Sequence, residues 1–174
     1  MFINLSDVLS EHHKPIDEVV SVEMTEFHSS LGSVPIIEKG PVHIVVKHVK
    51  QKELTIEGAC RLVLEIPCDR CLEPVKEEFD LKFIKNINLE ENDDQIDELD
   101  EKNYIDGYNL DVDKLLYNEM LIGWPMKILC SEDCKGICNT CGQNLNKGTC
   151  NCEDTSLDPR MSVIRDVFKN FKEV

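Results

Sequence analysis

The sequence lacks the features that mark the common classes of membrane protein and enzyme. No apolar run approaches the roughly 18 residues needed to span a bilayer. The opening residues, MFINLSD, contain neither the basic nor the apolar region of a signal peptide. A Walker loop, a GxGxxG motif and a serine–histidine–aspartate order are also missing. These absences predict a cytoplasmic protein, kept in a reducing compartment, without nucleotide-dependent or triad chemistry.

Basic residues are scarce. The 174 residues include 19 lysines and arginines against 34 aspartates and glutamates, which gives a net charge of −15. A chain of this charge is repelled by phosphate backbones, so the charge disfavours unaided nucleic-acid binding over most of its surface. The charge instead predicts basic proteins or a basic ribonucleoprotein as partners. With 41% apolar residues, the chain can bury the core of one domain, or of one domain and a small module.

Histidine is missing from the regions that are rich in cysteine. All five histidines precede Cys60, at positions 12, 13, 28, 43 and 48. A catalytic zinc usually keeps an open position and often has histidine or carboxylate ligands, whereas all-cysteine sites are closed and structural. The distribution therefore favours structural metal sites over a metal-dependent enzyme.

Cysteine is what the sequence has in excess. Six of the nine cysteines lie between Cys130 and Cys152, and Cys68 and Cys71 form an upstream CxxC motif. An odd number would leave one thiol unpaired in a disulfide framework, so metal binding is the preferred interpretation. The ninth, Cys60, shares a strand face with leucines and isoleucines, and is predicted to be a buried apolar thiol.

The remaining eight cysteines divide into two sets of four, which predicts two zinc ions per chain. The spacing C-x2-C-x8-C-x-C forms a compact knuckle that can close around one ion. The second set joins the upstream CxxC motif to a downstream pair and would close a long loop, where a cross-link restricts the unfolded chain most. The predicted ligands are Cys138, Cys141, Cys150 and Cys152 in one set, and Cys68, Cys71, Cys130 and Cys134 in the other.

Three alternatives stay open for the cysteines. One groups Cys130 and Cys134 with Cys138 and Cys141 in a single site. Another places an iron–sulfur cluster on four of the thiolates, although the spacings match neither common ferredoxin motif. The third is redox chemistry at Cys68 and Cys71, but a thioredoxin-type motif opens a helix, and the residues from Pro74 onward alternate as a strand does.

The alternation of apolar residues predicts a β-rich first part. Every second residue from Leu54 to Ile66 is apolar or small, and similar patterns follow Val42 and Glu73. The segment Ser29–Gly40 is interpreted as a loop because it contains glycines and a proline. A helix begins after Asp111 as N-cap and ends at Gly123, and another follows Asp158.

The predicted fold class is α+β. An antiparallel sheet or partly closed barrel occupies residues 1–89, and an acidic loop or linker occupies residues 90–109. A helix, the cysteine-rich zinc knuckle and a C-terminal helix occupy residues 110–174.

Several of these motifs together resemble the YceD family of large ribosomal RNA subunit accumulation proteins. They are the segments Cys68–Val75, Ile105–Pro125, Cys130–Asn146, Cys150–Cys152 and Asp158–Arg160. The resemblance implies a non-enzymatic factor that is needed for 23S ribosomal RNA accumulation and is associated with assembly of the large subunit.

The net charge adds a constraint to that resemblance, because it favours action through a basic ribosomal protein. The alternative is a direct RNA-binding zinc module, and a thiol redox protein is a third possibility. The candidate residues for contact with RNA or a partner are Lys135, Lys147, Arg160, Arg165, Lys169 and Lys172.

Overall fold

The computed structural model describes residues 1–10, 12–29, 32–50, 53–88 and 104–152. Two predictions lie wholly or mostly outside these residues: the acidic loop or linker 90–109, of which only residues 104–109 are described, and the helix after Asp158. Within the described residues, nine strands and two helices follow one another along the chain. They are β1 (Phe2–Asn4), α1 (Ser6–Leu9), β2 (Ile16–Val20), β3 (Glu26–Ser29), β4 (Gly32–Lys39), β5 (Val42–Lys50), β6 (Glu53–Pro67), β7 (Pro74–Asn88), β8 (Ile105–Asp106), β9 (Asn109–Asp111) and α2 (Val112–Ile122).

The main sheet has six strands and is built around β6. This strand pairs antiparallel with β5 through its first half and with β4 through its second half, and it also pairs with β7. The outer strands β2 and β3 pair antiparallel with β5 and β4. Leu54, Ile56, Leu62 and Leu64 are fully buried, as the alternation in the sequence predicts. The predicted antiparallel sheet is therefore present, whereas its closure into a barrel stays a prediction.

The interpretation of Ser29–Gly40 as a loop is wrong. Residues Gly32–Lys39 form β4, which pairs with β3 on one side and β6 on the other. Val34 and Ile36 are buried while their neighbours are exposed, so burial of alternate side chains outweighs the breaking tendency of glycine and proline. The register of β4 against β6 shifts between Ile36 and Glu38, while Pro35 pairs with Glu26 of β3.

Gly58 lies where β6 passes under an aromatic ring from β7. A Cβ atom at this position would lie 2.3 Å from Cζ of Phe83. Phe83 is 7% exposed. Its ring packs directly on the backbone of β6 at Gly58, where there is no side chain. The glycine is required by this close approach and not by its backbone angles.

Helix α2 follows the smaller sheet, in which β9 lies between β1 and β8. The Asp111 carboxylate accepts a hydrogen bond from the amide of Lys114, and Gly123 ends the helix. This capping is the one predicted from the sequence. The buried face consists of Val112, Leu115, Leu116 and Met120.

The described residues divide into two compact units. The first comprises Met1–Ile66 and Lys76–Met126, and contains both sheets and both helices. Trp124 stacks on Phe27 and lies beside Phe79 within it. The second comprises Pro67–Val75 and the described residues from Lys127 onward. Neither described helix is long and apolar enough to cross a membrane.

Candidate metal centre

The loop between β6 and β7 forms the first cysteine turn of the second unit. The Leu72 amide donates to the Cys68 carbonyl at 2.9 Å, and the Cys68 amide donates to the Glu73 carbonyl at 2.8 Å. Leu72 has a φ of +62°, the left-handed conformation that turns the chain back after the second cysteine. The turn holds Cys68 and Cys71 on the same side.

Asp69 and Arg70, the two residues inside this turn, bind the downstream cysteine segment. The Asp69 amide donates to the Ile128 carbonyl at 2.9 Å, and the Asp69 carboxylate accepts from the Ile128 amide at 2.7 Å. The Arg70 guanidinium donates to the Cys134 carbonyl at 2.8 Å, while its own carbonyl accepts from the Ile137 amide. These bonds bring Cys130 and Cys134 to the CxxC loop.

The first group of sulfurs consists of Cys68, Cys71, Cys130 and Cys134, whose Sγ atoms lie within 4.8 Å of one another. The Cys68 and Cys134 sulfurs are 3.8 Å apart, and those of Cys71 and Cys130 are 3.5 Å apart. Three of the four residues are buried, with Cys130 exposed, and Val75, Leu129 and Ile137 pack against them.

The second group consists of Cys138, Cys141, Cys150 and Cys152, whose sulfurs also lie within 4.8 Å of one another. Its first turn repeats the geometry of the CxxC loop: the Gly142 amide donates to the Cys138 carbonyl at 2.9 Å, and Gly142 has a φ of +73°. None of the four cysteines is fully buried. The second group is therefore the more accessible of the two.

Backbone amides stabilise one thiolate in each group. Burial opposes charge on Cys68, but bonds from the amides of Arg70, Cys130 and Cys71 outweigh it and lower its pKa to about 6. Amides of Cys141 and Thr140 lower the pKa of Cys138 to about 6. Contact with neighbouring sulfurs raises the pKa of Cys130 and of Cys152 to about 12. Four thiolates at this spacing repel one another, so full ionisation requires a cation.

The sulfur spacings fit a single tetrahedral ion. At the usual Zn–S distance, four sulfurs at the corners of a tetrahedron are about 3.8 Å apart. The two closest sulfur contacts of the first group, at 3.8 and 3.5 Å, agree with this spacing and are much longer than the roughly 2.0 Å of a disulfide. A four-iron cluster binds each thiolate to a different iron, which would hold the sulfurs further apart. The first group thus fits one ion such as Zn²⁺, and the second group, whose sulfurs lie within 4.8 Å of one another, could hold another.

The two groups coincide with the preferred division of the cysteines. Cys130 and Cys134 lie with Cys68 and Cys71, not with Cys138 and Cys141. Cys60 is buried in the first unit, as predicted, and is 6% exposed. Metal binding itself stays a prediction.

Of the basic residues proposed for contacts, the structure describes two. Lys135 is exposed, whereas Lys147 pairs with Glu73. Arg160, Arg165, Lys169 and Lys172 lie outside the described residues.

The sequence interpretation missed the polar residues that surround the first group. The Asn146 side chain donates to the Cys134 sulfur at 3.2 Å and accepts from the Lys135 amide at 2.8 Å. The Asn144 side chain donates to Glu73, on the CxxC loop. No role was predicted for these two asparagines. Both lie between Cys141 and Cys150, and no pattern in the sequence marks their contacts with residues that are distant along the chain.

Two curated relatives resemble the chain. The "Large ribosomal RNA subunit accumulation protein YCED homolog 1, chloroplastic" of Arabidopsis thaliana is 28% identical over 64% of this chain and 44% of its own length. The protein of the same name from Zea mays is 25% identical over 80% of this chain and 57% of its own length. The chain therefore spans about half the length of these relatives. No solved structure matches it.

The family match covers both cysteine groups. The family model described as "Large ribosomal RNA subunit accumulation protein YceD" matches residues 56–168. This range is more than half of the 174 residues and includes all eight cysteines of the candidate sites. The chain belongs to the YceD family.

Proposed function

We propose that this protein is a non-enzymatic, zinc-binding factor that supports accumulation of large-subunit ribosomal RNA. Membership of the YceD family supports the role in accumulation, and the names of both plant relatives describe the same role for those proteins. The observation that carries the zinc assignment is the convergence of eight sulfurs into two groups of four. All-cysteine sites leave no position open for a substrate, which favours a structural over a catalytic ion.

The two ions would hold the second unit together. Cys68 and Cys71 are separated from Cys130 and Cys134 by about sixty residues of sequence, so an ion on these four sulfurs closes a long loop. Cys138, Cys141, Cys150 and Cys152 would hold the second ion and close a shorter loop. A bound zinc ion supplies a cross-link here, and its binding free energy becomes folding free energy.

The charge of the chain favours a basic partner, and we propose a basic protein of the large subunit. In the described part of the second unit, four acidic residues balance four basic ones, and each site with a divalent ion and four thiolates would carry two further negative charges. Lys135 and Lys147, the two candidates for a direct RNA contact in the described part of this unit, are therefore offset by acidic residues. RNA binding through Lys135 is the alternative.

Metal content tests the first part of the proposal. Protein purified under reducing conditions should carry two zinc ions per chain by native mass spectrometry and elemental analysis. Cys138→Ser and Cys68→Ser variants should each lose one ion, and Cys60→Ser should lose none. A chain that retains no metal, or that contains iron and inorganic sulfide, would disprove the zinc assignment.

Capture experiments test the partner. Zinc-loaded protein should retain a basic large-subunit protein at low salt and release it progressively as salt rises, because the contact is electrostatic. Protein from which a chelator has removed the zinc serves as the control for whether capture depends on the metal-bound second unit. Retention of ribosomal RNA without protein, lost in Lys135→Glu, would favour the RNA-binding alternative and overturn the proposed partner.

A further inference from the structure

The loop between Cys141 and Cys150 belongs to the second candidate site by sequence, but it contacts the first. Asn146 lies in this loop, and its Nδ2 atom donates to the Cys134 sulfur at 3.2 Å. The Oδ1 atom of the same side chain accepts from the amide of Lys135 at 2.8 Å. The Asn146 side chain therefore bonds both to the sulfur of Cys134, a first-site cysteine, and to the backbone amide of the residue that follows it.

The loop is also attached to the CxxC side of the first site. The Asn144 side chain donates to the Glu73 carboxylate at 3.2 Å, and Lys147 forms an ion pair with the same carboxylate. Glu73 in turn accepts a bond from the Cys68 amide through its carbonyl, at 2.8 Å. The loop thus meets the first site on both of the chain segments that supply its sulfurs.

A bond within the loop and two links to the segment before Cys138 give the loop a defined conformation. The Asn146 amide donates to the Asn144 side chain at 2.9 Å, and the Leu145 amide donates to the Gly136 carbonyl at 2.9 Å. Ile137 and Asn144 form an isolated antiparallel bridge. The ends of the loop are the second-site cysteines, so an ion on those cysteines would restrain the loop at both ends.

We propose that Asn146 is a positioning residue that couples the two metal sites, so that an ion in the second site strengthens binding of an ion in the first. This inference rests on the proposed metal binding. Closing the second site restrains the loop in advance, and the first site then gains the N–H···S bond at a smaller cost in conformational entropy. The bond offsets part of the negative charge that four thiolates leave around a divalent ion. Coupling of this kind is reciprocal, so an ion in the first site also strengthens the second.

A double-mutant cycle on the full-length chain tests the coupling. First-site affinity for Zn²⁺ is measured by competition with a chromogenic chelator in wild type, Asn146→Ala, Cys138→Ser/Cys150→Ser, and the combination. Loss of an outer hydrogen bond typically weakens metal binding by about tenfold or more, and we expect this for Asn146→Ala. Removal of the second site should weaken the first by a similar factor. The combined variant should be little weaker than either, because both changes remove the same bond.

Two further variants separate the N–H···S bond from a general effect on folding. Asn146→Asp keeps the acceptor for the Lys135 amide but places a carboxylate oxygen beside the Cys134 thiolate. Its first-site affinity should fall at least as far as that of Asn146→Ala. Asn139→Ala, at an exposed asparagine between Cys138 and Cys141, should leave the affinity unchanged. Circular dichroism checks that each variant keeps its strand content.

The outcomes distinguish this inference from the proposal on which it rests. Two ions in wild type with unchanged affinity in both Asn146 variants would overturn the coupling and leave zinc binding intact. Additive losses in the combined variant would likewise overturn it, since they would mean that the second site acts by another route. A wild-type chain that binds no ion would overturn both proposals.

Discussion

Leu72 and Gly142 occupy equivalent positions in the two cysteine turns. Each follows the second cysteine of a CxxC motif, and each donates its amide to the carbonyl of the first cysteine at 2.9 Å. Their φ angles are +62° and +73°. Glycine adopts this conformation without strain, but leucine does not. The Leu72 side chain is 64% exposed, so little burial within the described residues offsets the strain.

Substitutions at these two positions should change zinc retention in opposite directions: Leu72→Gly should strengthen it and Gly142→Ala should weaken it. Leu72→Gly relieves roughly 1–2 kcal/mol of left-handed strain but costs about 0.5–1 kcal/mol in added entropy of the unfolded chain, so a net gain of up to about 1.5 kcal/mol is expected. Gly142→Ala introduces about 1–2 kcal/mol of strain, offset by about 0.5–1 kcal/mol of lost unfolded-chain entropy, so a net cost of up to about 1.5 kcal/mol is expected. No clash adds to it, because no described atom beyond the neighbouring residues lies within 4 Å of the new Cβ. The chelator concentration that releases half of the bound zinc measures the effect of each substitution. Weaker retention in Leu72→Gly would mean that the leucine side chain contributes contacts of its own.

Gly58→Ala should destabilise the first unit. The added methyl group would lie 2.3 Å from the Phe83 ring, and relief of such overpacking typically costs about 1–3 kcal/mol. Urea unfolding followed by circular dichroism measures the loss. In a Phe83→Leu background the ring is absent, so the same substitution should cost clearly less. Equal costs in the two backgrounds would show that the ring is not the cause.

Cys60 should make the first unit sensitive to alkaline pH. Burial raises the pKa of the Cys60 thiol from 9.0 to about 11, so the unfolded chain releases this proton at a lower pH than the folded chain does. The contribution of Cys60 to stability is therefore complete below pH 9 and is lost as the pH rises from about 9 to about 11. Thermal unfolding temperatures of wild type and Cys60→Ala across this range measure the effect. If the unfolding temperatures of the two proteins fell in parallel between about pH 9 and pH 11, the role of Cys60 would be contradicted.

Chelation should release the metal without disturbing the first unit. Trp124 is the single tryptophan, and its ring centroid lies 4.9 Å from that of Phe27 in the first unit. Both candidate metal sites lie in the second unit. The tryptophan emission maximum should therefore stay constant as chelator removes zinc, while eight thiols become reactive towards alkylating agents. Phe27→Leu removes the ring that stacks on Trp124, so it provides a positive control in which the emission maximum should shift. A shift in wild type on chelation would show that the first unit depends on the metal.

Local sequence was sufficient for the elements that depend on a short-range pattern. The alternation through Leu54 and Ile56 predicted β6, and Asp111 and Gly123 bounded α2, because these signals lie within one element. The same reasoning failed for β4. Gly32 and Pro35 predicted a loop, but pairing with two neighbouring strands decided the conformation. Such pairing depends on residues far away in sequence.

The sequence by itself favoured one division of the cysteines, because a tetrahedral ion needs four thiolates and the spacing of Cys138, Cys141, Cys150 and Cys152 lets one set close locally. The rival grouping stayed open until the structure placed Cys130 and Cys134 beside Cys68 and Cys71. Tertiary structure decided what brings the other set together. Asp69 bonds to Ile128 across 59 positions, and Asn146 bonds to the sulfur of Cys134. Hydrogen bonds of this kind are formed by single polar atoms that the fold brings together, and no periodicity or spacing in the chain records them. That is why the two cysteine groups were predictable and the contact that joins them was not.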